Sequence, residues 1–143
     1  MVSESTLRRI ERFEQGIKLL EEIAEVSLEE YLRDIKLQSI VERNLQICIE
    51  VIIDLSNVII SKKGFRVPST YRETVEILKE NKVLEKDLAE KLADLVGLRN
   101  IIVHMYADIK VEIVYENLNE FIETLKEGLR ALLNYCKRNE IDP

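Results

Sequence analysis

Four stretches of the chain repeat apolar residues at alternating steps of three and four, the spacing typical of amphipathic helices. The second stretch predicts a helix from about residue 28 to residue 61. No segment predicts a strand, because "VEIVYENL" alternates only briefly and continues into helical spacing. The apolar rows, in chain order, are Leu7, Ile10, Phe13, Ile17, Leu20 and Ala24; Val41, Leu45, Cys48, Ile52, Leu55 and Ile59; Leu84, Leu88, Leu92 and Leu95; and Val114, Leu118, Ile122, Leu125, Leu129 and Leu132.

A polar loop, "SKKGFRVPS", separates the second long helix from the third and contains the clearest turn residues of the chain. Thr70 and Glu73 follow it and predict a capping box, in which each side chain bonds the other's backbone N–H. This capping box begins a short helix that ends at about Asn81. The predicted fold class is all-α: residues 1–143 form one domain, an up-and-down helical bundle of four long helices plus one short helix.

Composition narrows the class of protein. The 143 residues are 46% hydrophobic and 34% charged, which is typical of a soluble globular domain. The longest nearly apolar run, "ICIEVII", is too short for a membrane span, and the first residues lack the apolar core of a signal peptide. A cytoplasmic location with no membrane partner is therefore expected. Cys48 and Cys136 form no CxxC pair and are expected to be reduced and buried.

The net charge of −6 argues against a broad electrostatic grip on nucleic acid, since phosphate neutralisation needs clustered Lys and Arg. It leaves room for a local basic cleft. A single histidine and the absence of a cysteine pair argue against zinc. Scattered carboxylates leave magnesium open, but the sequence predicts neither a metal site nor a cofactor.

A polar stripe interrupts the second helix, whose other residues are almost all apolar. Its members recur at steps of three, four, four and three: Arg43, Gln46, Glu50, Asp54 and Asn57. The stripe is either a solvated face or a polar seam that faces a cleft or a partner. Apolar residues flank it on both sides, and so wide an apolar face exceeds what one bundle core needs. Dimerisation through this helix would bury the excess.

The stretch "RNIIVHMY" contains the only histidine of the chain. At about 100° per residue, Asn100 and His104 lie about 40° apart on one helical face, whereas Arg99 and His104 lie about 140° apart. Arg99 and His104 would meet if the helix ended near His104, if the arginine side chain curled round, or if two copies faced each other. Arg99 also continues an apolar row, so it must be paired or line a polar cleft.

These residue types suit RNA cleavage without metal. A histidine can take a proton from the 2′-hydroxyl or give one to the leaving oxygen. An arginine can offset the charge that develops on the phosphate. An arginine and a histidine five residues apart also occur by chance, so a helix-terminal histidine bonded to its neighbours is the alternative.

The whole run R-N-x-x-x-H-x-Y resembles the signature of the HepT-like branch of the HEPN superfamily, which carries R-x4-H-x-Y. Arg99, Asn100, His104 and Tyr106 fit it without a gap, and "LADLVGLRNIIVHMY" and "ERNLQICIEVIIDLSNVII" are similar to that branch as well. The resemblance implies a dimerising bundle that acts as a metal-independent endoribonuclease toxin on tRNA or mRNA. Its partner would be an MntA-like minimal nucleotidyltransferase antitoxin, in a type VII-like toxin–antitoxin pair.

The resemblance also implies roles for individual residues. Arg99 and His104 would be catalytic, Asn100 supportive, and Tyr106 the acceptor of AMP transferred from ATP. Arg43, Glu50, Asp54 and Asn57 are expected to point toward the motif and the dimer cleft, with Asp54 positioning Arg99 or His104. The segment after the tyrosine departs from the family pattern, and Asp108 is expected to cap the last helix.

Two other classes of function stay open at this point. The domain could be a non-catalytic module that holds a nucleotidyltransferase or binds a nucleotide, which the negative net charge favours slightly. It could also be a helical dimer with a purely structural role, although the four-residue motif argues against that.

Overall fold

A computed structural model describes residues 2–143, and within them the chain forms seven α-helices and no strand. The all-α fold class is therefore confirmed. The helices are α1 Glu4–Ala24, α2 Leu28–Arg33, α3 Ile35–Lys63, α4 Tyr71–Glu80, α5 Lys86–His104, α6 Val111–Glu116 and α7 Leu118–Arg138, with a short 3₁₀ turn at Tyr106–Asp108.

The predicted second helix is two helices. Asp34 has an extended backbone (φ −119°, ψ 98°) and both ends α2 and begins α3. Its carboxylate accepts a hydrogen bond from the backbone N–H of Lys36 at 2.9 Å. Aspartate at this position bonds the exposed backbone donors of a new helix, which competes with continuing the old one. The apolar row of this stretch begins only at Val41, so the periodicity did not reveal the break at Asp34.

The predicted last helix is also divided, at Asn117 between α6 and α7. The Tyr115 hydroxyl donates a hydrogen bond to the backbone oxygen of Val26, and its ring packs 5.1 Å from that of Tyr31. These contacts hold α6 against α2, apart from the axis of α7. The expected cap at Asp108 is wrong: Asp108 closes the 3₁₀ turn, and α6 begins after Lys110 without a side-chain cap.

Helix α3 lies at the centre of the bundle, where it contacts α1, α2, α4, α5 and α7. Because neighbours surround it, the apolar residues beside its polar stripe are buried within the chain itself: Ile49, Val51 and Ile53 are each at most 5% exposed. The wide apolar face therefore needs no second copy to cover it, and this reason for predicting a dimer is wrong. Dimerisation stays a prediction that rests on the family resemblance alone.

Helix α3 is also the one described helix whose length and composition would allow it to cross a membrane. Of its apolar window, 61% is buried inside the bundle, as in the core helix of a soluble protein. Both cysteines are buried and free of disulfides, as expected. Burial raises the pKa of the Cys48 thiol to about 12 against the opposing charge of Arg12, so this thiol is protonated at neutral pH.

Candidate active site

Helix α5 ends at His104, as the sequence required if Arg99 and His104 were to meet in one chain. Met105 leaves the helical conformation (φ −133°, ψ 41°), and its backbone N–H makes the last bond of the helix, to Ile101 at 2.9 Å. Because α5 ends at this point, the side chain of His104 is exposed at the helix terminus. Arg99, Asn100, His104 and Met105 border the same cavity.

This motif cavity encloses about 610 Å³. The end of α5 forms one wall, and the first residues of α4 with the loop before them form the other. Asn57 on α3 completes it. The remaining lining residues are Pro68, Ser69, Thr70, Tyr71 and Thr74.

Arg99 is held firmly at the edge of the cavity. Its Nε and Nη2 both donate to Oε2 of Glu50, each at 3.0 Å, and its side chain is only 13% exposed. The guanidinium carbon also lies 4.8 Å from the centre of the Tyr71 ring, a cation–π contact. Nη1 donates to the Asn100 side-chain oxygen at 3.2 Å. Arg99 was expected to be paired or to line a polar cleft, and it does both: Glu50 is its partner, and it lines the motif cavity.

The sequence named Asp54 as the residue that positions Arg99 or His104, and that prediction is wrong. Asp54 lies one helical turn beyond Glu50 and pairs instead with Arg9 of α1, at 3.3 Å. Burial raises the pKa of Asp54, Arg9 opposes this shift, and nearby Glu50 adds to it. A turn of α3 advances about 5.4 Å along the axis, so Asp54 meets Arg9 of α1, whereas Glu50, which also borders α1, meets Arg99 of α5.

The other residues of the polar stripe divide between the cavity and the surface. Asn57 lies in the cavity as predicted, and its side-chain oxygen accepts a bond from the Thr74 hydroxyl at 3.4 Å. Arg43 does not line the cavity, although it was expected to point toward the motif. It is exposed and donates to Gln46, which donates in turn to Oε2 of Glu50 at 3.2 Å. Arg43 is therefore linked to Arg99 only through the side chains of Gln46 and Glu50.

Tyr71 and the start of α4 are the part of the site that the sequence analysis missed. Thr70 caps α4 by accepting from the Glu73 N–H at 3.0 Å, as the predicted capping box requires. The carboxylate of Glu73, however, bonds Ser69 rather than Thr70. The available signal was the turn-rich loop before this cap, since such a loop is where a helix begins and where binding residues commonly lie.

Tyr106 follows α5 by two residues and begins the 3₁₀ turn. It is 77% exposed, so its hydroxyl is open to an incoming molecule. It does not line the motif cavity but stands next to Met105, which does. No group of three His, Cys, Asp or Glu side chains among residues 2–143 is placed to hold a metal ion. Metal independence stays a prediction.

A cavity that presents a fixed guanidinium and an exposed imidazole can bind a phosphate and transfer a proton beside it. The helical bundle thus presents, at one cavity, the two kinds of side chain that phosphodiester cleavage uses. The profile of the family described as Ribonuclease HepT-like matches residues 13–132. The chain belongs to this family, and its enzyme class is that of a ribonuclease.

Individual relatives agree with the family assignment. The chain is 33% identical over 104 residues to the mRNA nuclease HepT of Shewanella oneidensis, covering 68% of this chain and 78% of the relative. It is 30% identical over 135 residues to the tRNA nuclease HepT of Aphanizomenon flos-aquae, covering 94% and 90%. The structure is similar to that of a tri-AMPylated HEPN toxin of Shewanella oneidensis in complex with MNT antitoxin. That comparison has a TM-score of 0.84 and 26% identity over 93% of this chain and 99% of the other.

Proposed function

We propose that this protein is the toxin of a toxin–antitoxin pair, a metal-independent endoribonuclease that cuts tRNA or mRNA in the cytoplasm. The observation that carries the proposal is the meeting of Arg99 and His104 at one cavity, with Arg99 held by Glu50. The two relatives named as nucleases of mRNA and tRNA support RNA as the substrate class.

In the proposed reaction the 2′-oxygen attacks the adjacent phosphorus, the bond to the 5′-oxygen breaks, and one proton leaves the 2′-hydroxyl while another joins the leaving oxygen. His104 carries one of these protons, and Arg99 offsets the negative charge on the phosphoryl oxygens. A homodimer places a second copy of the motif at the same cleft, and that copy's histidine carries the other proton. Asn100 supports Arg99 through the bond between their side chains.

We propose that transfer of AMP to Tyr106 inhibits RNA cleavage. Its hydroxyl oxygen attacks the α-phosphorus of ATP bound to an MntA-like nucleotidyltransferase, which forms a phosphodiester and releases pyrophosphate, while the phenolic proton passes to the transferase or to water. The 77% exposure of Tyr106 makes the hydroxyl accessible to that enzyme. AMP two residues from His104 adds a bulky anion that competes with the RNA phosphate for Arg99. The structurally similar toxin is AMPylated in its antitoxin complex, which supports the proposal.

Removal of divalent metal tests the catalytic part. The purified, unmodified protein is expected to cut tRNA or mRNA at the same rate with and without EDTA, because the two groups in the cavity need no metal. Gel-resolved cleavage of radiolabelled RNA measures this. Loss of cleavage in EDTA with recovery in Mg²⁺ would contradict metal independence. Intact RNA in both conditions would favour the alternative, a module that binds a nucleotide or the nucleotidyltransferase without cutting RNA.

Glu50 is expected to act as a positioning residue for Arg99. Glu50→Gln removes the charge that holds both Nε and Nη2, and such charge-assisted bonds are worth about 1.5–3 kcal/mol. We therefore expect kcat to fall by on the order of tenfold or more. Asp54→Asn is expected to lower kcat much less, because Asp54 touches neither motif residue.

A comparison of kcat for RNA cleavage by Glu50→Gln and by Asp54→Asn shows which of the two carboxylates positions Arg99. Glu123→Gln, an exposed change on α7, is the matched control and should leave kcat unchanged. Thermal unfolding checks that the folds are equally stable. A larger loss for Asp54→Asn than for Glu50→Gln would reject the assignment of Glu50.

A further inference from the structure

Two smaller cavities continue from the motif cavity along the polar stripe of α3. The middle cavity shares Asn57 with the motif cavity, and it shares Arg9 and Asp54 with a third, the arginine cavity. Each of the two encloses about 370 Å³. Together they form a groove between α1 and α3, here called the α1–α3 groove, that extends about 22 Å from Ile47 to Lys62 at 1.5 Å per residue.

The α1–α3 groove carries positive charge in a protein of net charge −6. Arg8, Arg9 and Arg12 of α1 line it, and Lys62 lies at its other end. Its two acidic residues are already neutralised, because Glu50 pairs with Arg99 and Asp54 pairs with Arg9. The remaining charge of the groove is therefore positive.

The basic side chains that remain are available to a ligand. Arg12 donates to the Asn44 side-chain oxygen at 2.9 Å, and neither Arg12 nor Lys62 forms an ion pair with any carboxylate among residues 2–143. Among the described residues Arg8 pairs only with Glu4, and both side chains are mostly exposed (67% and 89%), so that pair is weak. Arg8 and Arg12 are four residues apart and project from the same face of α1.

We propose that the α1–α3 groove binds the phosphate backbone of single-stranded RNA that extends from the motif cavity, with Arg8 and Arg12 as its main phosphate contacts. The inference rests on the proposed ribonuclease function. Its occupant is RNA because the groove is positively charged and continuous with the cavity that holds Arg99 and His104. Arginine matches phosphate through two parallel hydrogen bonds, and grooves of this kind hold single strands without reading their sequence.

Binding of a non-cleavable RNA tests the groove directly. The probe is a fluorescent single strand of about 12 nucleotides, within the site sizes of single-strand binders, with 2′-O-methyl groups that prevent attack by the 2′-oxygen. For Arg8→Gln/Arg12→Gln we expect affinity on the order of tenfold weaker at 50 mM salt. The slope of log K against log salt should be shallower by about 1.4, because two phosphate contacts are lost from a single strand.

The control is Arg33→Gln/Arg130→Gln, which removes the same charge from exposed positions on α2 and α7 and should bind like the wild type. Arg8→Gln alone, a change to a surface side chain that cannot disturb the core, should show about half of the slope change. Equal affinities and slopes for the groove variant and the control would overturn the proposal. Normal RNA binding by the groove variant together with loss of its complex with the antitoxin would also overturn the proposal. That result would assign the α1–α3 groove to an acidic protein partner.

Cleavage of two substrates separates this inference from the proposed function. The groove variant should cut a dinucleoside monophosphate as fast as the wild type and a long RNA more slowly, because the dinucleotide has only the scissile phosphate and leaves none for Arg8 and Arg12. If the wild type cuts both and the variant cuts long RNA equally fast, the groove proposal fails alone. If the wild type cuts neither, the ribonuclease function fails, and the groove proposal that rests on it fails as well.

Discussion

His104→Ala is expected to abolish RNA cleavage, with a fall in kcat on the order of 10²–10⁴. His104 is the only histidine of the chain, and it stands at the end of α5 beside the cavity that Arg99 borders. No other side chain that lines this cavity can exchange a proton as readily near neutral pH. Removal of the imidazole therefore leaves proton transfer to water.

His104 is exposed, so its replacement by alanine creates no buried cavity and should not alter folding. Single-turnover cleavage of a defined RNA measures the loss, and circular dichroism confirms the helical content. The matched control is Asn119→Ala, a polar-to-alanine change at an exposed position of α7. If His104→Ala cleaves within about threefold of the wild type, far less than removal of a general acid or base costs, His104 is not the proton-transfer group.

AMP transfer to Tyr106 is expected to silence the wild-type protein to the level of His104→Ala. The modification would add a phosphodiester and an adenosine to the residue that follows Met105, which lines the motif cavity. The added phosphate carries the charge that the RNA phosphate would bring, so it competes for Arg99, and the adenosine adds bulk.

The Tyr106→Phe variant should lose the ability to accept AMP while it keeps the ability to cut RNA. The phenylalanine keeps the exposed ring and removes only the hydroxyl, so the variant should cut RNA as the wild type does. It should also stay active after treatment with the nucleotidyltransferase and ATP. Tyr135→Phe, on α7, removes a different tyrosine hydroxyl and should be modified and silenced normally. Silencing of Tyr106→Phe to the same extent as the wild type would show that another residue is the acceptor.

The helical fold was predictable because burial imposes a period on each helix, and the apolar rows report that period directly. The breaks within the predicted helices were not predictable, because the apolar row of the second stretch begins only after Asp34 and the last row continues past Asn117. What divides the helices is specific bonding: a carboxylate that caps α3, and a tyrosine hydroxyl that ties α6 to the chain before α2. The spacing of apolar residues does not depend on such hydrogen bonds and therefore cannot predict them.

The site followed from the sequence only in part, and for a related reason. An end of α5 near His104 was one of three predicted ways in which Arg99 and His104 could meet, and the structure shows that end. The choice between Glu50 and Asp54 depended on which neighbouring helix each turn of α3 faces, and that is a property of the packing. Tyr71 belongs to a helix far from the motif in sequence, so its contact with Arg99 could not be read from local spacing.

We propose that the motif cavity cuts RNA and that Tyr106, next to this cavity, controls the cutting. The most direct measurement follows the rate of RNA cleavage and the intact mass of the same sample during treatment with the cognate nucleotidyltransferase and ATP. We predict that the rate falls in proportion to the fraction of chains carrying AMP on Tyr106 and reaches the His104→Ala level at full modification. Undiminished cleavage by fully modified protein would show that AMP on Tyr106 does not control the nuclease.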